Sequence, residues 1–292
     1  MRTNLWKQIY KECNSGTMKD KMNNLIEFPR YVDIELTNTC NLGCIMCPTG
    51  RNLLIRPVGF MGRGMFIKIL KECARYGCHV RFVRWGEPLL HPEVTKFMAM
   101  VKSSGLMCHI NTNGMLLTDE VISRIISMKL DSIKFSFQGV DRDEYERFRK
   151  GGSWEQLLIN ISELYNRRYK KKQPYITVGS TVSKPDIEAI RHFTSKMLEI
   201  ADEVSVGHTR NIINPEPNGR KPNCPEVFDK LSINWNGEVV ACCSDWNNSM
   251  LLGNLEKSTL YDIWHGDNAN YYRQMLVDGR HAELELCKSC YL

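Results

Sequence analysis

Short apolar segments alternate with longer segments of helical spacing along the first two thirds of the chain. Six of the short segments are rich in β-branched or aromatic residues, and Gly, Asn or Asp bounds most of them, which predicts strands. These predicted strands span residues 31–36, 80–84, 107–110, 132–137, 175–182 and 204–207.

The segments between these strands carry apolar residues three or four positions apart, as amphipathic helices do. Val94, Phe97 and Val101 show this spacing, and Thr118 and Ser153 are residue types that start helices. Pro92 is a further helix-start candidate. The predicted helices begin near residue 65 and cover 94–101, 121–126, 154–165 and 187–200.

This alternation predicts an α/β fold with parallel strands and right-handed crossovers, either an open doubly wound sheet or a barrel. In both architectures the chemistry lies at the carboxyl ends of the strands. The sequences TCNLGCIMCP, WGEP, NTNG and QG follow the first four predicted strands. We therefore expect all four at one edge of the sheet, which we call the rim.

The composition changes after about residue 210, where the proline-rich segment 211–226 is typical of a linker. Two alternating runs around Asn236-Gly237 then predict a hairpin, and residues 259–265 a short helix. We expect three units: a helical extension over 1–30, a barrel over 31–210 and a small domain over 211–292.

The chain has 292 residues, of which 42% are hydrophobic and 25% charged, as in an ordinary soluble enzyme. No window contains the roughly 18 to 20 uninterrupted apolar residues that a membrane span needs. Residues 1–30 mix Lys, Glu and Asp into their apolar positions and so do not resemble a signal peptide. A cytoplasmic protein without a membrane partner is expected.

The net charge of +6 is mild and is spread along the chain, except for the basic run 167–172. That run follows a predicted helix and precedes Pro174, so a solvated helix end explains it better than an acidic partner. We expect no nucleic acid partner.

Twelve cysteines are many for a reducing compartment, where clustered cysteines more often bind metal than form disulfides. Cys40, Cys44 and Cys47 have C-x3-C-x2-C spacing on one loop, and thiolates suit zinc or an iron–sulfur cluster. Three ligands to a cubane would leave one iron open. A zinc site completed by a distant residue, or three reduced loop cysteines, are the alternatives from spacing alone.

With these motifs, residues 31–292 resemble the radical S-adenosylmethionine (SAM) superfamily, whose C-x3-C-x2-C loop follows the first strand of a partial (β/α)6 barrel. The resemblance implies that the three cysteines hold a [4Fe–4S] cluster and that the amino and carboxylate groups of SAM chelate the fourth iron. An electron from the cluster then splits the sulfonium, and the resulting 5′-deoxyadenosyl radical removes a hydrogen atom from the substrate. The resemblance also implies a reducing electron donor such as flavodoxin or ferredoxin.

The WGEP sequence resembles the GGEP motif of that family, with Trp85 where the first glycine usually stands. By resemblance Gly86 and Glu87 meet the amino group of SAM, and Asn113 lies where relatives approach the cofactor. Trp85 departs from the motif at a position where a glycine lets the backbone come close to a ligand.

Ser136 and Arg149 match residues that contact the ribose or carboxylate of SAM in relatives. The planar guanidinium of Arg suits a carboxylate. Gln138 stands where family members often carry Asp, so it is not assigned a role.

The tail resembles the SPASM/twitch auxiliary-cluster domain, with Cys242 following Gly237 and a C-x2-C pair two residues from the end. The shorter twitch form, with one auxiliary [4Fe–4S] cluster, matches better than a full SPASM domain. A four-thiolate zinc ribbon is the alternative from spacing. The predicted ligands are Cys224, Cys242, Cys287 and Cys290.

Cys243 is surplus to that set. If Cys242 binds the cluster from a strand, its neighbour points to the opposite face, toward the barrel mouth, where a thiol could donate a hydrogen atom to a substrate radical. Alternatively, Cys243 only packs or exchanges with Cys242. We expect Cys13, Cys73, Cys78 and Cys108, which lack ligand spacing, to be core or surface thiols.

Four cations lie on or just after the second and sixth predicted strands, where they could bind substrate or be strand-edge charges. They are Arg81, Arg84, His208 and Arg210.

The leading functional hypothesis is epimerisation of a carbinol carbon in a polar small molecule, such as a sugar or aminoglycoside-like unit, with Cys243 as hydrogen donor. One alternative is a dehydrogenase that forms a ketone and passes the second electron to the auxiliary cluster. Another is peptide modification, which the roughly thirty residues before Tyr31 disfavour because they are few for a leader-binding domain. A non-enzymatic zinc module is the competing class.

Overall fold

The computed structural model describes residues 2–213, 224, 226–288 and 290. The strands are β1 Tyr31–Ile34, β2 Gly43–Cys44, β3 His79–Phe82, β4 Cys108–Thr112, β5 Ser132–Ser136, β6 Arg149–Lys150, β7 Tyr175–Val182, β8 Glu203–His208, β9 Lys230–Ile233, β10 Glu238–Val240 and β11 Leu251–Asn254. The helices are α1 Trp6–Cys13, α2 Met18–Asn23, α3 Arg63–Tyr76, α4 Val94–Ser103, α5 Asp119–Ser127, α6 Arg142–Phe148, α7 Trp154–Arg168, α8 Ile187–Met197, α9 Glu226–Asp229, α10 Leu260–His265 and α11 Asp267–Val277.

Nine of the strands form one sheet in the order β11-β10-β9-β1-β3-β4-β5-β7-β8. The strands from β9 to β8 in this order are parallel to their neighbours, while β10 and β11 are antiparallel additions. The two outer strands of this order, β11 and β8, do not pair with each other, so the sheet stays open. The predicted α/β fold is confirmed, and a partial barrel is consistent with the sheet.

Each of the six predicted strands is present, and helices follow the first five of them. The side chains of Thr118 and Ser153 cap α5 and α7 by accepting hydrogen bonds from backbone N–H groups of the first turn, as predicted. The sequence did not reveal α6, which buries only Tyr145. It also missed the two-residue strands β2 and β6.

Side chains on the parallel strands alternate between two environments. On β5, Ile133 and Phe135 are fully buried and pack in the core beneath the helices. Ser132, Lys134 and Ser136 share the opposite face of β5, which we call the inner face of the sheet. This inner face is polar, so it suits a polar ligand better than it suits a packed core.

Helix α1 lies against the end of the sheet remote from the rim. The Trp6 ring is fully buried and meets the rings of Tyr31, His79 and His109 at centroid distances of 5.8, 6.0 and 5.8 Å. Tyr31 and His79 are the first residues of β1 and β3. The helix therefore covers the base of the inner face and leaves the rim as its accessible end.

The predicted hairpin around Asn236-Gly237 is present as β9 and β10, and Gly237 has the positive φ of +84° that this turn requires. Strand β9 pairs with β1 in parallel, with Tyr31 opposite Lys230 and Ile34 opposite Ile233. The C-terminal region thereby extends the sheet. Of the proline-rich linker segment, residues 214–223 and 225 lie outside the described residues.

Among the described helices, none combines the length and the hydropathy needed to cross a lipid bilayer.

Candidate metal and cofactor site

The three cysteines of the C-x3-C-x2-C loop line one cavity at the rim, with a volume of about 290 Å³. Cys44 lies in β2, which pairs with β6 so that Cys44 is opposite Arg149. This short pairing fixes the cysteine loop to the segment that carries the arginine. The sulfur atoms receive contacts from the Leu42 N–H at 3.4 Å on Cys40 and from the Arg149 guanidinium at 3.9 Å on Cys44.

Burial raises the pKa of the Cys40 thiol to about 11 and also raises that of Cys44. Buried thiolates need a positive centre to offset the loss of solvation, which a metal or cluster supplies. The soft sulfur donors, the hydrogen-bond donors around them and the cavity that they share fit a cubane cluster.

Gly86 lies where two loops of the rim meet. A Cβ atom at Gly86 would come 2.0 Å from the carbonyl oxygen of Thr37 and 2.8 Å from that of Thr39. The backbone N–H of Glu87 also donates to the Thr39 oxygen at 2.8 Å. Any larger residue at position 86 would therefore push the β3 end away from the cysteine loop. The carbonyl of Trp85 accepts a hydrogen bond from the Thr49 hydroxyl, so Trp85 is part of the same junction.

Glu87 lines the cavity but is only 2% exposed. Its carboxylate accepts hydrogen bonds from the Thr112 hydroxyl at 2.7 Å, the Asn113 N–H at 2.8 Å and the Leu89 N–H at 3.0 Å. Burial raises its pKa, although these donors oppose the shift. Glu87 therefore joins the carboxyl ends of β3 and β4 in addition to facing the predicted cofactor position.

Asn113, Ser136 and Arg149 line the same cavity as the three cysteines. The Asn113 amide donates to the Asn41 side chain at 2.8 Å and lies 3.8 Å from the Cys40 sulfur. Arg149 donates to the Phe137 carbonyl at 3.0 Å, while its buried Nε has no partner in the described part of the chain. An unpaired guanidinium N–H beside the cysteine loop fits a carboxylate ligand.

The unassigned Gln138 is 1% exposed and also lines the cavity. It donates to the Thr209 hydroxyl at 2.5 Å and accepts from the Thr181 hydroxyl at 2.8 Å. These bonds connect the ends of β5, β7 and β8, so the side chain holds this part of the rim together.

The four tail cysteines, Cys224, Cys242, Cys287 and Cys290, line a second cavity of about 230 Å³. Its other walls include Met250 and Leu276. Burial raises the pKa of Cys287 to about 12 and shifts that of Cys224 in the same direction. Four thiols on one apolar cavity are the donor set that an iron–sulfur cluster or a structural zinc ion uses.

Cys242 and Cys243 do not lie in a strand, because β10 ends at Val240, so strand alternation does not decide where the Cys243 side chain points. The two thiol sulfurs and a carboxylate oxygen of Glu226 all lie within 4.8 Å of one another. A hydrogen bond between the thiols lowers the pKa of Cys243 and raises that of Cys242. Cys243 is not among the described residues that line either cavity.

Among the described residues, Ile212 and Arg84 connect the cavities, and the sequence did not identify either in this role. Ile212 lines both. The side chain of Arg84, which lines the rim cavity, is fully buried and donates to the carbonyls of Cys242 at 3.3 Å and Asp245 at 2.8 Å. The two cavities therefore share a lining residue, and a buried arginine of the rim cavity contacts the loop that carries Cys242.

The structure separates the four strand-end cations. Arg81 forms a bidentate ion pair with Asp33, with N–O distances of 2.7 and 2.9 Å, so its guanidinium is occupied within the protein. The guanidinium of Arg84 is likewise occupied by backbone carbonyls. His208 and Arg210 are exposed at the end of the edge strand β8. The thiols predicted to lack a metal are all buried: Cys13, Cys73, Cys78 and Cys108.

A family model described as the radical SAM superfamily matches residues 34–194. The chain belongs to the radical SAM superfamily. A second model, described as an iron–sulfur cluster-binding domain and named SPASM, matches residues 224–291. The radical SAM enzyme with a C-terminal SPASM domain that the motifs suggested is thus confirmed.

Two curated relatives differ in how much of their length the match covers. An AdoMet-dependent heme synthase from Methanosarcina barkeri is 29% identical over 60% of this chain, but the match spans only 48% of that protein. An S-adenosyl-L-methionine-dependent 2-deoxy-scyllo-inosamine dehydrogenase from Niallia circulans is 21% identical over 89% of this chain and 91% of its own length.

Solved structures share the fold at low identity. BtrN in complex with AdoMet and 2-DOIA aligns with a TM-score of 0.64 at 18% identity, over 91% of this chain and 94% of BtrN. AnSMEcpe with bound AdoMet aligns with a TM-score of 0.66 at 13% identity, over 88% of both chains. These matches support the radical SAM fold.

Proposed function

We propose that this radical SAM enzyme oxidises a carbinol carbon of a polar small molecule to a ketone. The observation that carries the proposal is the contact between the two cysteine-lined cavities through Arg84 and Ile212. Oxidation of a carbinol removes a hydrogen atom, a proton and one further electron. An acceptor for that electron next to the radical site therefore favours oxidation over a redox-neutral outcome.

Cys40, Cys44 and Cys47 would hold a [4Fe–4S] cluster that binds SAM, and Cys224, Cys242, Cys287 and Cys290 a single auxiliary cluster of the twitch type. When bound, these groups supply a 5′-deoxyadenosyl radical as hydrogen-atom acceptor and an acceptor for one electron. A low-potential protein such as flavodoxin or ferredoxin would reduce the first cluster.

The residues around the first cavity would bind and orient SAM. Arg149 offers its unpaired Nε–H to the carboxylate, and Gly86 keeps the backbone of the β3 end close to the cysteine loop. Ser136 and Asn113 present polar groups from the neighbouring strand ends. Similarity to the Niallia circulans dehydrogenase over nearly its whole length supports the oxidative outcome.

Epimerisation with Cys243 as hydrogen donor is the second candidate. The observation in its favour is that four other cysteines already line the auxiliary cavity, which leaves the Cys243 thiol free of a predicted ligand role. Its position beside Cys242, outside the described lining of the rim cavity, makes it the weaker candidate.

The two outcomes differ in isotope content and in their dependence on Cys243. The reconstituted enzyme, SAM and a reductant are incubated anaerobically in deuterium oxide with a panel of polyols, and the products are analysed by mass spectrometry. Oxidation gives a product that lacks two hydrogens, and Cys243→Ala retains most of this activity. An inverted carbinol that carries deuterium, and that disappears in Cys243→Ala, would establish epimerisation instead. Absence of 5′-deoxyadenosine in every reaction would contradict both.

A further inference from the structure

Asn111 and Lys134 are direct cross-strand neighbours on β4 and β5, one residue before Thr112 and two before Ser136, which both line the rim cavity. Asn111 lines that cavity, and Ser136, two residues beyond Lys134 on the inner face, lines it as well. Both side chains are partly exposed on that face. Asn111 is thus part of the cavity wall, and Lys134 lies beside it on the inner face; we call these two residues the floor.

The side-chain oxygen of Asn111 is hydrogen-bonded to His109. Its Oδ1 accepts a hydrogen bond from His109 Nε2 at 2.7 Å, and His109 Nδ1 lies 2.6 Å from the Ser132 hydroxyl. Burial lowers the pKa of His109 to about 3, so its ring is neutral and its single N–H is the one that points to Asn111. The Asn111 amide thus directs its N–H groups away from His109, and no acceptor for them occurs in the described part of the chain.

Lys134 is also without an acceptor. Among the described residues its ammonium forms neither a hydrogen bond nor an ion pair, although burial and then repulsion from Arg81 lower its pKa. The side chain passes over Gly179 of β7, where a Cβ atom would stand 2.2 Å from Lys134 Cε and 3.0 Å from Nζ. Glycine at position 179 therefore provides the space that the lysine side chain occupies.

Two acidic side chains, Asp33 and Glu203, are already paired with other cations. Asp33 is held by Arg81 and by Lys230, the latter at 3.1 Å. Glu203, the carboxylate that attracts Lys134, lies 3.3 Å from Lys7 of α1. The floor is therefore a pair of hydrogen-bond donors, one of them a cation, and no carboxylate among the described residues is bound to it.

We propose that Asn111 and Lys134 form a subsite for an oxyanion of the substrate, a carboxylate or a phosphate ester. The inference rests on the proposed function, because it takes the substrate to lie on the inner face below SAM. It specifies an acidic, hydroxyl-bearing molecule. An aminoglycoside-like substrate is thereby disfavoured, since its ammonium groups would be repelled by Lys134.

The test uses the enzyme with both clusters reconstituted and SAM bound. The probes are glucose, glucosamine, glucuronate and glucose 6-phosphate, which share a ring and differ in charge, together with inorganic phosphate. Binding is measured by saturation-transfer NMR titration. We expect at least one of the two acidic sugars to bind at least about tenfold more tightly than glucose, because one charge-assisted hydrogen bond provides a gain of this size. Glucosamine should bind most weakly.

Lys134→Met should abolish the preference for acidic sugars, and Lys134→Glu should shift it toward glucosamine. Lys196→Met, on the exposed side of α8, is the matched control and should bind like the wild type. Equal binding of glucose and both acidic sugars in the wild type would overturn the inference. So would inorganic phosphate binding as tightly as the sugar phosphate, because the anion alone would then account for binding.

Formation of 5′-deoxyadenosine on reduction of each sample separates the two proposals. If both proteins cleave SAM and the wild type binds all the sugars equally, as Lys134→Met is expected to do, the subsite is wrong and the radical SAM activity stands. If the loaded wild type does not cleave SAM, the proposed function itself fails.

Discussion

The guanidinium of Arg84 donates a hydrogen bond to the carbonyl oxygen of Cys242 at 3.3 Å, and so joins the end of β3 to the auxiliary cysteine loop. The same side chain donates to Asn234 at 2.8 Å. One buried cation from the radical SAM region therefore positions the backbone that carries an auxiliary ligand.

Arg84→Met should destabilise the protein and loosen the auxiliary site, because it leaves several buried acceptors without a donor. We expect a loss of about 3 kcal/mol in the free energy of unfolding, the low end of the range for breaking a buried charged network. Release of iron to a chelator should be faster when measured in a Cys40/Cys44/Cys47→Ala background, which isolates the auxiliary cluster. Arg191→Met, at an exposed position of α8, is the control. Unchanged iron release in Arg84→Met would argue against the positioning role.

The two cysteine sets should lose iron independently, because they line separate cavities. With both clusters reconstituted, the wild type should hold about eight irons per chain and the Cys40/Cys44/Cys47→Ala variant about four. The Cys40/Cys44/Cys47→Ala variant should also lose all SAM cleavage. Alanine at the four tail cysteines should leave about four irons and retain SAM cleavage. Colourless protein containing zinc in either cavity would contradict the cluster assignment for that cavity.

The adjacent tail cysteines should differ in their effect on the auxiliary cluster. Cys242 lines the auxiliary cavity and Cys243 does not, so Cys242→Ala should lower the iron content and alter the electron paramagnetic resonance signal of the reduced auxiliary cluster. Cys243→Ala should leave both unchanged. The reverse pattern would make Cys243 the ligand and would remove it as a hydrogen donor.

Asp33 should contribute stability that depends on pH. Burial raises its pKa, but attraction to Arg81 and Lys230 outweighs burial and lowers the pKa to about 2. Because the folded pKa lies below the unfolded value, this stability is present above about pH 4 and is lost as pH falls toward 2.

Urea unfolding of the wild type and Asp33→Asn can test this pH dependence. The stability advantage of the wild type should shrink by about 1 kcal/mol between pH 5 and pH 3. Asp143→Asn, at an exposed position of α6, is a comparison variant without a buried partner. A constant advantage across this range would mean that the ion pair does not perturb the Asp33 carboxyl.

The parallel strands and the rim motifs could be predicted because their signals are local. Each strand is a short apolar run, and each motif directly follows one. The pairing of Cys44 with Arg149 could not be predicted, since two-residue strands have no periodicity and their partners are 105 positions apart. The prediction for Cys243 assumed a strand that continues to this residue, whereas β10 ends at Val240, because the end of that strand depends on the following turn.

The position of Lys134 in the candidate site could not be predicted for a different reason. In a strand, a lysine between Ile133 and Phe135 has the alternation of an ordinary solvent-facing position. The polar inner face is instead enclosed by its strands and by α1. A helical extension over residues 1–30 was predicted, but its packing against the inner face was not. Its partner Asn111 was visible in the NTNG motif, but the hydrogen bond that orients the amide comes from His109, two residues earlier on the same strand.

Strand β1 has a hydrogen-bonded neighbour on each side, β3 from the radical SAM region and β9 from the C-terminal region. Removal of the C-terminal region would expose the backbone N–H and C=O groups of β1 as a bare sheet edge, which promotes association with other chains. The two regions thus share a structural element rather than a surface of contact. They should melt together in one cooperative transition, despite being recognisable as separate sequence families.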